Sequence, residues 1–126
     1  MTDQTVRKNH LSASPVGGLG IPTGKPIKVT ATASLGTVIH STTLDPFDSD
    51  EIWMWARNID SSQRTLTLEW GTVGVDFRKD FVLAANTEEL LLIPGFILLG
   101  LHTVFGFATA ADKIFITGYV HTIAEP

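Results

Sequence analysis

The feature that most constrains the fold is a series of short strand-like runs separated by turn residues. From residue 27 onward, such runs are followed by Gly, Pro, Asn, Asp or Ser at intervals of about ten residues. No window of more than ten residues shows the 3.6-residue period of an amphipathic helix. The pattern predicts an all-β fold, an antiparallel β-sandwich of eight or nine short strands that is either jelly-roll-like or Ig-like.

The apolar run at residues 90–101 contains Pro94 and Gly95, which predict a turn between two extended segments. In the run 64–70, strict alternation predicts that Leu66, Leu68 and Trp70 face inward and that Thr65, Thr67 and Glu69 face outward. The predicted strands cover residues 27–33, 37–42, 51–59, 64–70, 75–84, 89–93, 102–109 and 114–123, with a further extended segment after Gly95.

Two of these runs are apolar on both faces. In residues 51–59, Trp53 and Trp55 alternate with Ile52, Met54 and Ala56. The run 114–123 repeats the pattern, with Ile114, Ile116 and Val120 on one face and Phe115 and Tyr119 on the other. Because a strand with one solvated face is apolar only on the other, we expect both runs to be central in a sheet. The opposing sheet would cover one face, and another subunit or the N-terminal segment would cover the second.

The first 26 residues differ from the rest of the chain. Glycine and proline recur from residue 15 to residue 26, a composition that disfavours a helix or a long strand. The sequence therefore predicts an extended N-terminal arm over residues 1–26 and a β-sandwich domain over residues 27–126. We expect the arm to lie along a neighbouring subunit or along its own domain.

Composition excludes several classes of function. The net charge is −4 and the nine Lys and Arg residues are scattered, so neither nucleic acid nor an anionic membrane surface is expected as a partner. The longest apolar run is shorter than the roughly 20 residues that span a bilayer. The chain has no cysteine, which excludes disulfides and cysteine-ligated zinc. Only 17% of the residues are charged, against about a quarter in typical soluble domains, as expected of a surface covered by neighbours.

The residues that could carry chemistry show no strong motif. Asp45, Asp48, Asp50 and Glu51 form an acidic loop that could ligate calcium, but their spacing is not that of an EF-hand and turn formation is the preferred interpretation. No pair among His10, His40, His102 and His121 has metal-ligand spacing, although His40 and His121 could meet across strands. No nucleophile elbow or phosphate-binding loop is present. We therefore expect no enzyme activity, cofactor or metal; a small hydrolase remains a third class of function and would require a cleft.

The sequence from residue 51 resembles small virion proteins of tailed bacteriophages. The resemblance rests on two stretches, "WARNIDSSQRTLTLEWG" and "LLLIPGFILLGLHTVFGFATAADKIFITGYVHTI", and covers about residues 51–123. Its features are the turn at 58–60, the strand at 66–71, the Pro94-Gly95 pair, the segment 108–114 and the closing strand 118–123. The N-terminal arm is not part of it.

The resemblance implies a capsid decoration (cement) protein, located on the outer capsid surface of the virion. Such a protein would bind the major capsid protein, would be a homotrimer and would stabilise contacts between capsid subunits. Head-fibre, neck or tail components are alternatives. The apolar strand faces make Trp53, Trp55, Phe96 and Tyr119 the candidate subunit-interface residues. The number of aromatic residues and the acidic loop leave a host-recognition or carbohydrate-binding module as a second class of function.

Overall fold

Nine β-strands and one short 3-10 helix form the structure, a computed structural model that describes residues 5–12 and 24–124. The strands are β1 (Thr5–His10), β2 (Ile27–Lys28), β3 (Thr37–Ser41), β4 (Ser49–Asn58), β5 (Arg64–Glu69), β6 (Arg78–Leu83), β7 (Thr87–Leu99), β8 (Thr103–Ala108) and β9 (Ile114–Ala124), and the 3-10 helix is Val75–Phe77. Within the described ranges, no helix has the length and apolar character needed to cross a membrane.

The strands form two antiparallel sheets. The larger sheet has the order β1-β9-β4-β7, with β2 also paired to β9, and the smaller sheet has the order β3-β8-β5-β6. The pairs β5·β6, β4·β7, β3·β8 and β1·β9 are nested along the chain and fall alternately in the two sheets. This is the strand order of a jelly roll, a double-sheet sandwich built from two Greek keys. The predicted all-β sandwich is confirmed, and its topology is the jelly-roll alternative.

The core lies between the two sheets and is built by strand alternation. The inner faces of β4 and β9 contribute Ile52, Met54, Ala56, Ile114, Ile116 and Val120, all essentially inaccessible to solvent. From the smaller sheet, Leu66 and Leu68 of β5 pack into the same cluster. Strand β4 lies between β9 and β7, and β9 lies between β1 and β4. The central position expected for the two doubly apolar strands is therefore confirmed.

The predicted turn at Pro94 and Gly95 is wrong, because β7 runs through both residues without a break in the strand. Its pairing with β4 shifts register between Ile52 and Trp53, opposite this point. Such a bulge lets an antiparallel strand accommodate a proline and a glycine with φ +80° while keeping its direction.

Two other strands are shorter than predicted. Of the run 27–33, only Ile27–Lys28 forms a strand; the Val29 N–H still donates to the Ile114 C=O of β9, and no strand continues beyond it. In the run 75–84, Val75–Phe77 forms the 3-10 helix, and β6 begins at Arg78. Composition favours extended structure in both places, whereas the pairing available from neighbouring strands decides how much of it forms.

Glu69, predicted to face outward into solvent, is fully buried. One carboxylate oxygen accepts a hydrogen bond from the Ser34 hydroxyl (2.8 Å), and the other accepts one from the Gly74 N–H (2.9 Å). The Arg78 guanidinium lies 3.5 Å from the second oxygen. Burial raises the pKa of Glu69, but these hydrogen bonds and the positive charge outweigh it and leave the pKa below its ordinary value. Loops outside the sheet thus cover a position that strand alternation leaves exposed.

Part of the predicted arm lies on the sandwich of its own chain. Residues Thr5–His10 pair in register with β9, from Thr5 opposite Ala124 to His10 opposite Tyr119. Leu11 is 5% exposed and joins the core. Of the two courses expected for the arm, these residues follow the one along their own domain. Residues 1–4 and 13–23 of the predicted arm lie outside the described residues.

Candidate functional site

The outer face of the larger sheet carries a group of aromatic side chains from its two central strands. Trp53 of β4 is in register with Tyr119 of β9, so their side chains share a face. The two ring centroids are 6.2 Å apart with an interplanar angle of 17°, and Trp55 lies 5.9 Å from Tyr119. The Lys8 ammonium of β1 is 4.3 Å from the centre of the Tyr119 ring. We call Lys8, Tyr119, Trp53 and Trp55 the aromatic row.

A carboxylate fixes one end of this row. Glu51 accepts hydrogen bonds from the Trp53 indole N–H (2.9 Å) and from Nδ1 of His121 (3.0 Å). The bond from His121, followed by that from Trp53, lowers the pKa of Glu51 below its ordinary value. The imidazole of His121 also lies edge-on to Tyr119, at 5.4 Å between centroids. These contacts hold the indole and the imidazole in defined orientations.

The side chains of the aromatic row cover much of one another's surface. Tyr119 contacts both indoles and the Lys8 ammonium, and the Trp53 ring lies over Gly95 of β7, where an added Cβ would be 2.8 Å from Cζ2. The contacts therefore link all four strands β1, β9, β4 and β7 across the sheet. The second apolar face of β4 is thus covered in part by Tyr119 of β9, and that of β9 in part by Lys8 of the N-terminal segment.

Phe96 lies apart from the other three candidate interface residues. It pairs in register with Ile52, whose side chain points into the core, so Phe96 projects from the opposite face to Trp53. Its ring meets Trp70 edge-on at 6.2 Å, and the Lys79 ammonium lies 5.0 Å from it. The structure thus brings Trp53, Trp55 and Tyr119 together and places Phe96 at the side of the sandwich. Their role as a subunit interface stays a prediction.

Among the residues that the structure describes, strand β7 carries the largest run of exposed apolar side chains. It is an edge strand of the larger sheet, and no other described strand pairs with its free side. Six large apolar residues in and just after it are 41–61% exposed: Leu90, Leu91, Phe96, Ile97, Leu99 and Leu101. We call these six residues the β7 strip. Natural proteins usually protect a long edge strand with charges or a cover. Here the charges, Glu88 and Glu89, lie at the start of β7, and the part of the strand after them has only Pro94 and the bulges.

A buried polar network lies on the inner side of the same sheet. Asp50 and His40 are each 2% exposed, and their side chains meet at 2.6 Å between Oδ2 and Nε2. The Ser12 backbone N–H donates to Nδ1 of His40 (2.9 Å), which places the ring hydrogen on Nε2. The Thr122 hydroxyl donates to the other oxygen of Asp50 (2.8 Å) and accepts a hydrogen bond from the Asn9 amide.

The network ties the N-terminal segment to the sandwich and is not arranged as a nucleophile and base. It lines a cavity of about 480 Å³ together with Arg7, Ser41 and Thr43. A histidine that activates a hydroxyl needs a free ring nitrogen as acceptor, and here a backbone N–H occupies that nitrogen. Sequence reasoning missed this pair, although Asp50 has the same strand parity as Ile52 and Met54 and could have been placed inward on that ground.

The acidic loop does not bring its carboxylates together. Asp45 accepts the Phe47 backbone N–H (2.9 Å), while Asp50 and Glu51 project from opposite faces of β4. His40 and His121 likewise lie on opposite sides of the larger sheet and do not meet. In the described part of the chain, no group of three or more acidic or histidine side chains could hold a metal ion.

Comparison with known proteins found no match to the chain among models of protein families, curated proteins or solved structures.

Proposed function

We propose that this chain is a bacteriophage virion structural protein, a capsid decoration protein that binds the outer shell and stabilises contacts between major capsid subunits. The observation that carries the proposal is the β7 strip, with six large apolar residues 41–61% exposed on one edge of the sandwich. Exposed apolar patches of this kind mark protein–protein contact sites. Head-fibre, neck or tail components would use the same edge.

Two further features support the proposal. The resemblance to small phage virion proteins extends over residues 51–123, which include β7 and most of β4, the strand that pairs with it. The jelly roll is a fold that many viral capsid domains use, a support by analogy because folds host many functions. The contacts of the aromatic row link the four strands of the sheet whose edge carries the β7 strip.

The mechanism is mass action on the assembled shell. A protein that binds only the mature lattice stabilises it in proportion to the logarithm of ligand concentration over Kd. Burial of a fully exposed large apolar side chain is worth about 1.5–3 kcal/mol, so the half-exposed residues of the β7 strip supply on the order of 5 kcal/mol before the costs of association. A contribution of this size suits a decoration protein that attaches at many sites.

The test is co-sedimentation of the purified chain with shells of its phage that lack it. The triple variant Ile97→Thr, Leu99→Gln, Leu101→Asn removes half of the β7 strip without touching the core. We expect it to fold normally and to bind shells about a hundredfold more weakly, equivalent to roughly 3 kcal/mol. A matched control makes the same kind of change at Leu35, Val75 and Val82, which are 63–73% exposed elsewhere, and should bind as the parent does. Equal binding by the two triple variants would overturn the proposal.

A carbohydrate-binding module is the competing proposal, and the geometry favours it less. Sugars stack on open ring faces, whereas the rings of the aromatic row contact one another, Lys8 and Gly95. The aromatic side chains that are well exposed in the described residues, Phe47, Phe77 and Phe96, have no polar group to bond a sugar hydroxyl. Binding to a glycan array would reverse this preference.

A further inference from the structure

We propose that copies of this chain assemble head to tail through the two edges of the larger sheet, with β1 of one copy pairing antiparallel to β7 of the next. The inference rests on the proposed function for the idea of a closed homotrimer, and deepens it by naming the strands and the register that join the copies.

Both edges are open in the described part of the chain. β1 and β7 are the outermost strands of the larger sheet, and each pairs on one side only. A strand edge of this kind presents a row of backbone N–H and C=O groups that another strand can satisfy. Joining β1 to β7 removes both edges with a single type of contact, and repetition of such a contact closes a ring when the rotation allows it.

The strand directions favour this contact. β1 is antiparallel to β9, β9 to β4, and β4 to β7, so β1 and β7 run in opposite directions. A second copy placed beside the first in the same orientation therefore brings its β1 against β7 as an antiparallel pair. The larger sheet then continues from copy to copy with one uninterrupted antiparallel hydrogen-bond pattern.

Charge complementarity points to the same pairing. The exposed part of β1 carries Arg7 and Lys8, whereas β7 begins with the exposed pair Glu88 and Glu89. Lys8 lies over Tyr119 on the outer face, and Glu89 accepts a hydrogen bond from Thr117 of that same face. Within one copy Lys8 is level with Ile97 across the sheet. A second copy displaced along the strands by eight residues, about 27 Å, therefore makes Lys8 and Glu89 direct cross-strand neighbours of opposite charge.

The apolar residues fix the register. If Lys8 is opposite Glu89 in an antiparallel pair, Val6 is opposite Leu91, since one strand advances by two residues as the other retreats by two. Leu91 is in register with Trp55 on the outer face, and Val6 shares that face with Lys8. Val6 is 58% exposed and Leu91 is 48% exposed, so each would cover the other. Residues Ile97, Leu99 and Leu101 lie beyond this pairing and stay free to contact the shell.

Charge reversal tests the contact, with native mass measured by light scattering across a dilution series. We expect Lys8→Glu and Glu89→Lys each to raise the dissociation midpoint about tenfold or more, since like charges then face each other. The double variant restores opposite charges between copies and should return the midpoint to that of the parent. Asp76→Lys is a charge reversal at an exposed position of the 3-10 helix, away from both edges of the larger sheet, and should have no effect. A monomeric parent, or a double variant no better than the singles, would overturn the proposal.

Disulfide trapping tests the register, because the chain has no cysteine of its own. Oxidation of a mixture of Val6→Cys and Leu91→Cys chains should give a crosslinked pair that contains one of each, and the mixture of Val6→Cys with Leu99→Cys should give none. Crosslinking of Leu91→Cys with itself would indicate a two-fold β7–β7 contact and overturn the head-to-tail arrangement.

The two proposals can fail separately. If shell binding depends on Ile97, Leu99 and Leu101 but the native mass is unchanged by the charge reversals, the edge pairing is wrong and the decoration function stands. If the oligomers depend on these charges but do not bind shells, the edge pairing stands and the decoration function is wrong.

Discussion

Glu69 shows how a single buried charge is stabilised without a strong ion pair. Its two oxygens accept hydrogen bonds from Ser34 and Gly74, and Arg78 is at the longer distance of 3.5 Å. Replacement by glutamine keeps the shape and turns one acceptor into a donor, which then faces another donor. We expect Glu69→Gln to lower the free energy of unfolding by about 2 kcal/mol at neutral pH, the usual worth of hydrogen bonds to a charged group.

The pH dependence of that loss is a second part of the same prediction. Because the pKa of Glu69 is lowered in the folded state, its charge stabilises the fold at pH above the ordinary value of 4.5. The stabilisation is lost as the pH falls through the lower, folded-state pKa. Urea unfolding of parent and variant should therefore converge toward acid pH. Glu88→Gln, at an exposed position, is the control, and a difference independent of pH would contradict the assignment.

Residues of this kind mark the limit of sequence reasoning at the residue scale. Alternation placed Leu66 and Leu68 correctly in the core, but it assigned Glu69 to solvent because it contains no information on the loops that cover the strand. Asp50 was assigned to a turn, although the strand begins at Ser49 and its inward parity pairs it with His40. Long-range partners decide both cases, and they are set by topology.

At the scale of elements, Trp53 and Gly95 form a matched pair between β4 and β7. Gly95 has φ +80°, and a Cβ there would lie 2.8 Å from the Trp53 ring. We expect Gly95→Ala to lower the free energy of unfolding by about 3 kcal/mol, from backbone strain together with displacement of the indole. In a Trp53→Ala background only the strain remains, and the cost should fall to about 1 kcal/mol.

A double-mutant cycle in urea isolates the contact, since the coupling between two touching residues appears as non-additivity. Gly71→Ala is a comparison at another glycine of positive φ, where the nearest side-chain atom is 3.1 Å away on Leu98, and it should add independently to Trp53→Ala. Strict additivity at Gly95 would show that the indole does not rest on β7.

Sequence patterns located elements better than they located their edges. The runs 37–42, 64–70 and 114–123 each become a strand whose ends agree within about one residue. Pro94 and Gly95 were read as a turn because both residues are common in turns, but a bulge absorbs them in an edge strand. Whether a strand is at an edge depends on sheet order, so the exposure of the β7 strip could not be predicted from its composition.

In the whole molecule, β1·β9 is the outermost of the nested strand pairs, so the N-terminal segment is the outer partner of β9 at an edge of the larger sheet. That position conflicts with a simple division into an arm and a self-sufficient sandwich. A chain that begins at residue 24 would expose the edge of β9, remove Leu11 from the core and leave Nδ1 of His40 without the Ser12 N–H. A domain boundary at residue 26 predicts that the sandwich is equally stable without the N-terminal segment, whereas the packing predicts that its removal destabilises the fold.

From the packing, we expect the truncated chain to lose about 4 kcal/mol of unfolding free energy, from the burial of Leu11 and the unpaired buried imidazole nitrogen. Leu11→Ala in the full chain should account for about 2–3 kcal/mol of it. Urea denaturation with circular dichroism measures both, and Thr5→Ala serves as a control that changes the same strand at an exposed position. Equal midpoints for the full and truncated chains would instead establish residues 24–126 as an independent domain, with β1 as a separable arm. The aromatic row would then have to hold its geometry without Lys8, whose ammonium lies over Tyr119.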